Sequence, residues 1–450
     1  MLSRNNIIIF LFTCLGLVIV AGINITADYK YRVVPSPLPK SYPRVAKPKK
    51  QQPEAPKPPP PEKFENELAK LVPESIDCNR WFGSHVAADG NTIVISYHGD
   101  STIGEDIGSA YVYELQPDQS WKHVATLRPD ERVRSNRRYG WSVAIQRDTI
   151  FVGGEWDAGA NKSHCGAVYV YQRDETGQWS FHQKLTPSHD QNSQLFGSDV
   201  SIDGDLALIG SSQAWLNNDR KKRDAGAAYI FERNKEGNWI EKTMLIGENT
   251  KKNDQLGACV ALSGNTAVVG SRHNEVDSGS AYVFRPDEEG NWKQVAILKA
   301  ATPGNGKQFG NSVAIHGTRI LVGEWRSGTA YLFEEETASK WNFTAILKSN
   351  AQNRNGHFGY QVDIRDDMAA IGTFTQGNDA VYLFRRDEQG NWNKFTRLQS
   401  IDNEHAGVFG SDFDIANNFI LVGDEQEYSN YRSGGAAYIF EKPQVEEDSK

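Results

Sequence analysis

An aromatic residue or leucine followed by glycine opens a short alternating strand seven times in this chain, and a Gly-x-Ala-Tyr-like strand follows each opening. The motif glycines are Gly83, Gly140, Gly197, Gly257, Gly310, Gly359 and Gly410, at successive steps of 57, 57, 60, 53, 49 and 51 residues. Such a period is too long for helical arrays. It suits a four-stranded sheet repeated around an axis.

The third copy shows the unit. Ser198 to Ile202 and Leu206 to Gly210 alternate or run apolar around an Asp-Gly turn, which is a hairpin signature. Ala227 to Phe231 is rich in β-formers, and a turn at Glu236–Asn238 leads from Trp239 into a fourth strand reaching Leu245 and Ile246. One small sheet cannot bury both of its faces. Packing copies face to face around an axis buries them and leaves only short edges. Small residues in "SVAI", "DVSI", "GSAY" and "GAAY" fit where backbones crowd, and Trp121, Trp179, Trp239, Trp292, Trp341 and Trp392 fill the wider space toward the rim.

The register also predicts how the ring closes. Five of these tryptophans stand 18 residues before the next motif glycine, and Trp121 stands 19 before Gly140. The last copy ends after its third strand, Ala436 to Phe440, while Phe64 lies 19 residues before Gly83. Phe64 to Val72 therefore reads as the missing outer strand, the alternative being a short helix over Glu65–Leu71. The expected fold is all-β: a seven-bladed β-propeller of four-stranded antiparallel blades, the last blade closed by an N-terminal strand.

The segments "WFGSHVA", "RYGWSVAI", "LFGSDVSI", "QLGACVAL", "QFGNSVAI", "HFGYQVDI" and "VFGSDFDI", each followed by a "GAAYIF"-like strand, resemble the FG-GAP repeats of integrin alpha-chain heads and related surface proteins. The resemblance covers nearly all of residues 63–440 and implies a seven-bladed propeller used for recognition. Calcium-binding members of that family carry Asp-x-Asp-x-Asp-Gly-like loops between the first two strands of some blades. Here those connections are short, as in "SIDGDL" and "DIRDDM", with no room to wrap an ion in six to eight oxygens. Asp203, Asp205, Asp366 and Asp367 read as turn residues, and neither a metal nor a cofactor is expected.

Four segments are expected: 1–27, an anchor or signal; 28–62, a proline- and lysine-rich spacer; 63–440, the propeller; and 441–450, a charged tail. Ile7 to Ile23 is an apolar run of 17 residues, at the lower end for a spanning helix and longer than most signal cores. It reads as an uncleaved anchor or as a cleaved signal, and either exports the propeller to a cell surface, lumen or periplasm. The lysines and arginines that follow it favour the opposite orientation. Pro35 to Pro61, if extended, spans roughly 80 Å. The cysteines fit no zinc or redox pattern: Cys14 lies in the apolar run, Cys259 reads as a buried strand thiol, and Cys78 with Cys165 is a possible pair. Asn24, Asn161 and Asn342 begin glycosylation sequons.

Variation concentrates in the loops between second and third strands, which share a face with the connections between blades. Just after the second strands stand Tyr97, Glu155, Trp156, His273, Glu324, Trp325, Arg326, Phe374 and Asp424, while Trp215 projects from the longest loop beside Arg220–Arg223. If those strand ends surround the axis, the nine strand-end side chains form a shallow ligand cup, and Trp215 offers a separate exposed anchor for a protein or glycan; the bland alternatives are loop packing, solvated charge and a solvated loop. A formal net charge of −8 disfavours nucleic acid. His98 with Asp100, or His164 with Asp157, has the composition for acid–base work, but no nucleophile elbow or His-Glu-x-x-His occurs, so an enzyme is not expected. The expected function is a membrane-tethered recognition or adhesion module binding a protein or glycan. The alternatives are a scaffold in a surface assembly and a hydrolase with its site in the cup.

Overall fold

The computed structural model describes residues 66–73, 81–102, 107–129, 138–157, 165–188, 194–216, 223–273, 279–302, 304, 306–349, 357–374, 379–400, 408–425, 428–429 and 432–443. The apolar run Ile7–Ile23, the spacer, Cys78 and hence its pairing with Cys165, His164, Asn24, Asn161 and the basic residues Arg220–Lys222 lie outside them. Among the described residues no helix is long and apolar enough to cross a membrane.

Seven four-stranded antiparallel sheets form the ring. Six are continuous in sequence. In blade three the strands are Phe196–Asp203, Leu206–Ser211, Ala227–Arg233 and Trp239–Leu245, in that order across the sheet. The seventh sheet joins the two ends of the domain: Glu67–Leu71 pairs antiparallel with Ala436–Glu441, and Phe419–Asp424 and Phe409–Ile415 complete it. The expected closing strand is therefore present, with Glu67 opposite Phe440 and Leu71 opposite Ala437. Contacts between the innermost strands of blades seven and one complete the circle.

Among the described residues the buried apolar side chains fall into seven clusters, each shared by two neighbouring blades. The tryptophans at the start of the outer strands serve these interfaces: the Trp239 ring meets Phe151 edge-on at 5.0 Å, and Trp121 of blade one meets Phe419 of blade seven at 5.1 Å. Arginines lie over the same rings, as Arg285 of blade four does over Trp341 of blade five at 5.5 Å.

The two half-motifs meet across these interfaces. Gly226, which precedes the Ala-Ala-Tyr strand of blade three, pairs in a parallel bridge with Leu256, the residue before the motif glycine of blade four. A Cβ at Gly226 would collide with the Leu256 carbonyl, and one at Gly257 with the Ala227 carbonyl. The backbones touch directly, which explains why the two motifs recur together.

An innermost strand has one edge without a partner strand, so its N–H groups need other acceptors. Neighbouring blades supply them. Asp199 accepts from Val260 N–H at 2.7 Å, Asp412 from Val86 N–H at 2.9 Å, Asp414 from Ala88 N–H at 2.8 Å and Asp363 from Ile415 N–H at 2.7 Å. Ser312 and Ser201 do the same for Val362 and Leu262 at 3.1 Å. The turn aspartates also tie blades together: Asp203 accepts from Gln146 and from Gly264 N–H, and Asp367 pairs with Arg319 at 3.2 Å.

Candidate ligand-binding cup

The innermost strands start at the face that carries the second-to-third-strand loops, and there they line a central cup of about 970 Å³. The residue after each motif glycine faces it. Ser84, Trp141, Ser198, Ala258, Asn311, Tyr360 and Ser411 contribute one side chain from every blade. The motif is nearly invariant between blades while this next position varies. A symmetric scaffold thereby builds an asymmetric site.

A second ring comes from the residue before the motif aromatic or leucine. Trp81, Arg138, Leu195 and Gln255 have φ of 95°, 48°, 54° and 54°, in the left-handed region that bulky side chains seldom occupy, and all four line the cup. Arg138 is held there by a carboxylate and two aromatic faces. Its guanidinium pairs with Glu155 at 2.9 Å and lies 3.8 Å from the centre of Trp156 and 4.8 Å from that of Trp141. Trp81 stacks on His98 at 4.9 Å, and His98 leans on Trp141 at 5.3 Å. An aromatic wall thus spans blades one and two.

Burial governs the ionisable groups of the cup. It raises Glu155 to about 7 against the opposing pull of Arg138 and Arg272. It raises Asp199 to about 7 although Val260 and Val200 donate to it, and it raises Glu425 to about 7 with help from Asp424. Asp412 is pushed well above the usual carboxylate range, by burial first and by the charge of Asp199. Burial lowers His85 to about 4 and His98 to about 3, His98 also feeling His85 and Arg138.

These directions fix a pH dependence. The raised carboxyls stay protonated in the fold while the unfolded chain ionises. Their stabilisation is present at acidic pH and lost as pH rises through about 7. The histidines act oppositely: their contribution is full above the ordinary value of 6.5 and is lost progressively as pH falls from there through about 4 and 3. Four carboxyls outweigh two histidines, so the melting temperature is expected to be higher at pH about 5.5 than at about 7.5. Calorimetry checks this. The Glu155→Gln/Asp199→Asn variant should narrow the difference, and a melting temperature that rises with pH would contradict it.

Glu155 and Trp156 lie in the cup as the sequence suggests. Tyr97, Glu324 and Asp424 do not. Each is the last residue of its second strand, opposite Phe82, Phe309 and Phe409, and turns into its blade. Tyr97 packs in the core between Phe82 and Tyr111, Glu324 accepts from Tyr331 at 3.1 Å and from Ser327, and Asp424 accepts from Val408 N–H at 2.7 Å. Cup-facing groups come one residue later in sequence: His98, Glu155, Ser212, Arg272 and Glu425.

Trp325 and Phe374 occupy that later position but stand behind the cup wall. Phe374 stacks on Tyr360 at 4.5 Å, and Trp325 packs on His357 at 4.6 Å and Tyr360 at 5.9 Å while donating to Gln308. Arg326 lies over Trp325 at 5.4 Å, and His273 meets Gln308 at 3.3 Å. Trp215 stays in its own loop, with its indole N–H on Asp224 at 3.3 Å and Arg223 over its ring at 5.9 Å. His98 and Asp100 take separate partners: His98 Nδ1 meets Ser84 at 2.9 Å, and Asp100 accepts from Ser109 at 2.6 Å. The sequence reading missed Trp81, His85, Arg138, Trp141, Asp199, Tyr360 and Asp412. The available signal was variation immediately beside an otherwise constant motif.

Compared with the curated proteins, the sequence matches none. Solved structures share the fold at low identity. A protein from Lactobacillus plantarum superposes with a TM-score of 0.52 at 12% identity, covering 78% of this chain and 92% of its own. A protein assigned as a 6-phosphogluconolactonase, from Bacteroides uniformis, gives 0.50 at 11% identity, with 76% and 94% covered. The FG-GAP repeat family matches at residues 66–113, 121–171, 179–231, 239–284 and 292–333, together more than half of the chain. Each match runs from an outer strand through three strands of the next blade, and the first begins beside the closing strand. The two half-motifs, their meeting across each blade interface and these five matches make the chain a member of the FG-GAP repeat family.

Proposed function

We propose that this propeller is a recognition module that takes a protein or glycan ligand into its central cup. The observation that carries the reading is convergence: all seven blades contribute to one open cavity of about 970 Å³. Strained aromatic and cationic residues border it, as expected of a pre-organised site. The apolar run at Ile7–Ile23 supports tethering or export of the module. A second reading, acid–base chemistry on the bound molecule, draws support from the carboxyls near 7 gathered beside neutral histidines.

The test is affinity capture from detergent-solubilised native membranes, comparing the intact chain with an Arg138→Ala/Trp156→Ala variant of matched melting behaviour. A molecule recovered by the intact chain and lost by the variant is the expected result. Incubating it with the intact chain then separates binding from turnover. Equal recovery by both would overturn the cup reading and move the interaction to the blade rims, where Phe181 and Ile240 are 56% and 53% exposed.

A further inference from the structure

The cup has a chemical character that narrows its ligand. Most of its ionisable groups are already engaged inside the protein, and burial raises the remaining cup carboxyl, Glu425, to about 7. Glu155 holds Arg138, Asp199 and Asp412 accept backbone N–H groups from the next blade, and Arg272 donates to Gln255 at 2.9 Å. Asp412 also accepts from Gln361 at 2.5 Å. An ionic ligand would have to break these contacts before gaining its own. The histidines carry no positive charge near neutrality to offer an anion.

Two polar groups remain in want of a partner. Ser411 lines the cup at 9% exposure, and its hydroxyl has no hydrogen-bond partner among the described residues. His85, in the adjoining blade one, has an equally unpartnered Nδ1. A buried hydroxyl or ring nitrogen left in this state is destabilising, and a ligand hydroxyl, which both donates and accepts, satisfies either once a small rotation turns that group toward the cup. Beside them stands the aromatic wall, with the His85 and Trp141 rings 5.9 Å apart. The wall reaches the mouth at Trp81, which is 37% exposed.

Flat aromatic faces next to neutral hydrogen-bonding groups, with most ionisable groups committed inside the protein, suit a molecule that presents C–H faces and hydroxyls together. We propose that the cup binds a neutral carbohydrate, with a sugar ring against Trp141 and its hydroxyls on Ser411 and His85. The inference rests on the cup being the binding site. The cavity volume lies near the top of the ordinary range for small-molecule sites, about 300–1,000 Å³, and accommodates a short chain of sugars.

The experiment presents the full detergent-solubilised chain to an array of immobilised neutral, amino-bearing, uronate-bearing and sulfated oligosaccharides. Trp141→Ala and Ser411→Ala are tested beside it, the second being a minimal change that keeps the test valid if the first misfolds. The expected result is binding to neutral members only, little changed between about 0.05 and 0.5 M salt. Affinity should fall at least about tenfold in Trp141→Ala and severalfold in Ser411→Ala. Preference for charged members or steep salt dependence overturns the neutral assignment. Binding retained by both folded variants places the sugar outside the cup and overturns it as well. An empty array overturns the carbohydrate assignment, and the Arg138/Trp156 capture comparison then shows separately whether the cup binds something else.

Discussion

Removal of residues 66–72 is expected to lower the midpoint of thermal unfolding by about 5–10 °C and to make the propeller self-associate. The strand they form is the outer member of blade seven, paired along Ala437–Phe440. Tyr438, Ile439 and Phe440 are fully buried with it in place. Its loss forfeits several ladder hydrogen bonds, each worth about 0.5–1.5 kcal/mol net. It also bares an edge whose free N–H and C=O groups will pair with another chain. A peptide of residues 63–73 supplied in trans should restore the midpoint and the elution profile of the intact chain by adding itself to that edge. Replacing Leu68 by Asp is the control, because its side chain is 59% exposed and should contribute little. An unchanged midpoint with the elution profile of the intact chain would show that the ring does not depend on this seam.

The second large effect belongs to the motif glycine itself. Gly257→Ala is expected to destabilise by about 4 kcal/mol or more, whereas Gly237→Ala should cost only about 1 kcal/mol. Both glycines have nearly the same left-handed backbone, with φ of 83° and 85°, so conformational strain is common to the two. They differ in surroundings. A Cβ on Gly257 runs into the Ala227 carbonyl of blade three, while one on Gly237 meets nothing within 4 Å. Relief at Gly257 would require two blade backbones to separate, and the seven apolar clusters resist that movement. Denaturant melts of the two variants measure the difference, and equal losses would mean that strain rather than crowding explains the glycine.

Much of this architecture was legible because its determinants are repeated. Trp239 and its counterparts fill the same space in successive blades, and the spacing from Phe64 to Gly83 matched the spacing from the tryptophans well enough to place an outer strand within Phe64–Val72, where the structure has Glu67–Leu71. The cup was legible only in part. Glu155 and Trp156 were found, but Tyr97, Glu324 and Asp424 sit one residue too early. In an extended strand a shift of one residue turns a side chain from one face to the other. At the strand end it separates a core tyrosine from the cup-facing His98 beside it. Sequence pattern places the strand, while the last hydrogen-bonded pair, Phe82 opposite Tyr97, decides where it stops. The inner wall was hidden for a different reason. Trp141 and Asp199 sit in strands that read as scaffold, and only closure of the ring turns those residues toward a common space.

The offset between the family's repeat and the blade has an evolutionary consequence. Each matched repeat supplies the outer strand of one blade and the inner three of the next. A gene duplication or deletion of one whole repeat would therefore leave every sheet with four strands, wherever in the chain it occurred. Ring size can change by one unit without stranding a half-built blade, and the two ends would still find each other across the same seam.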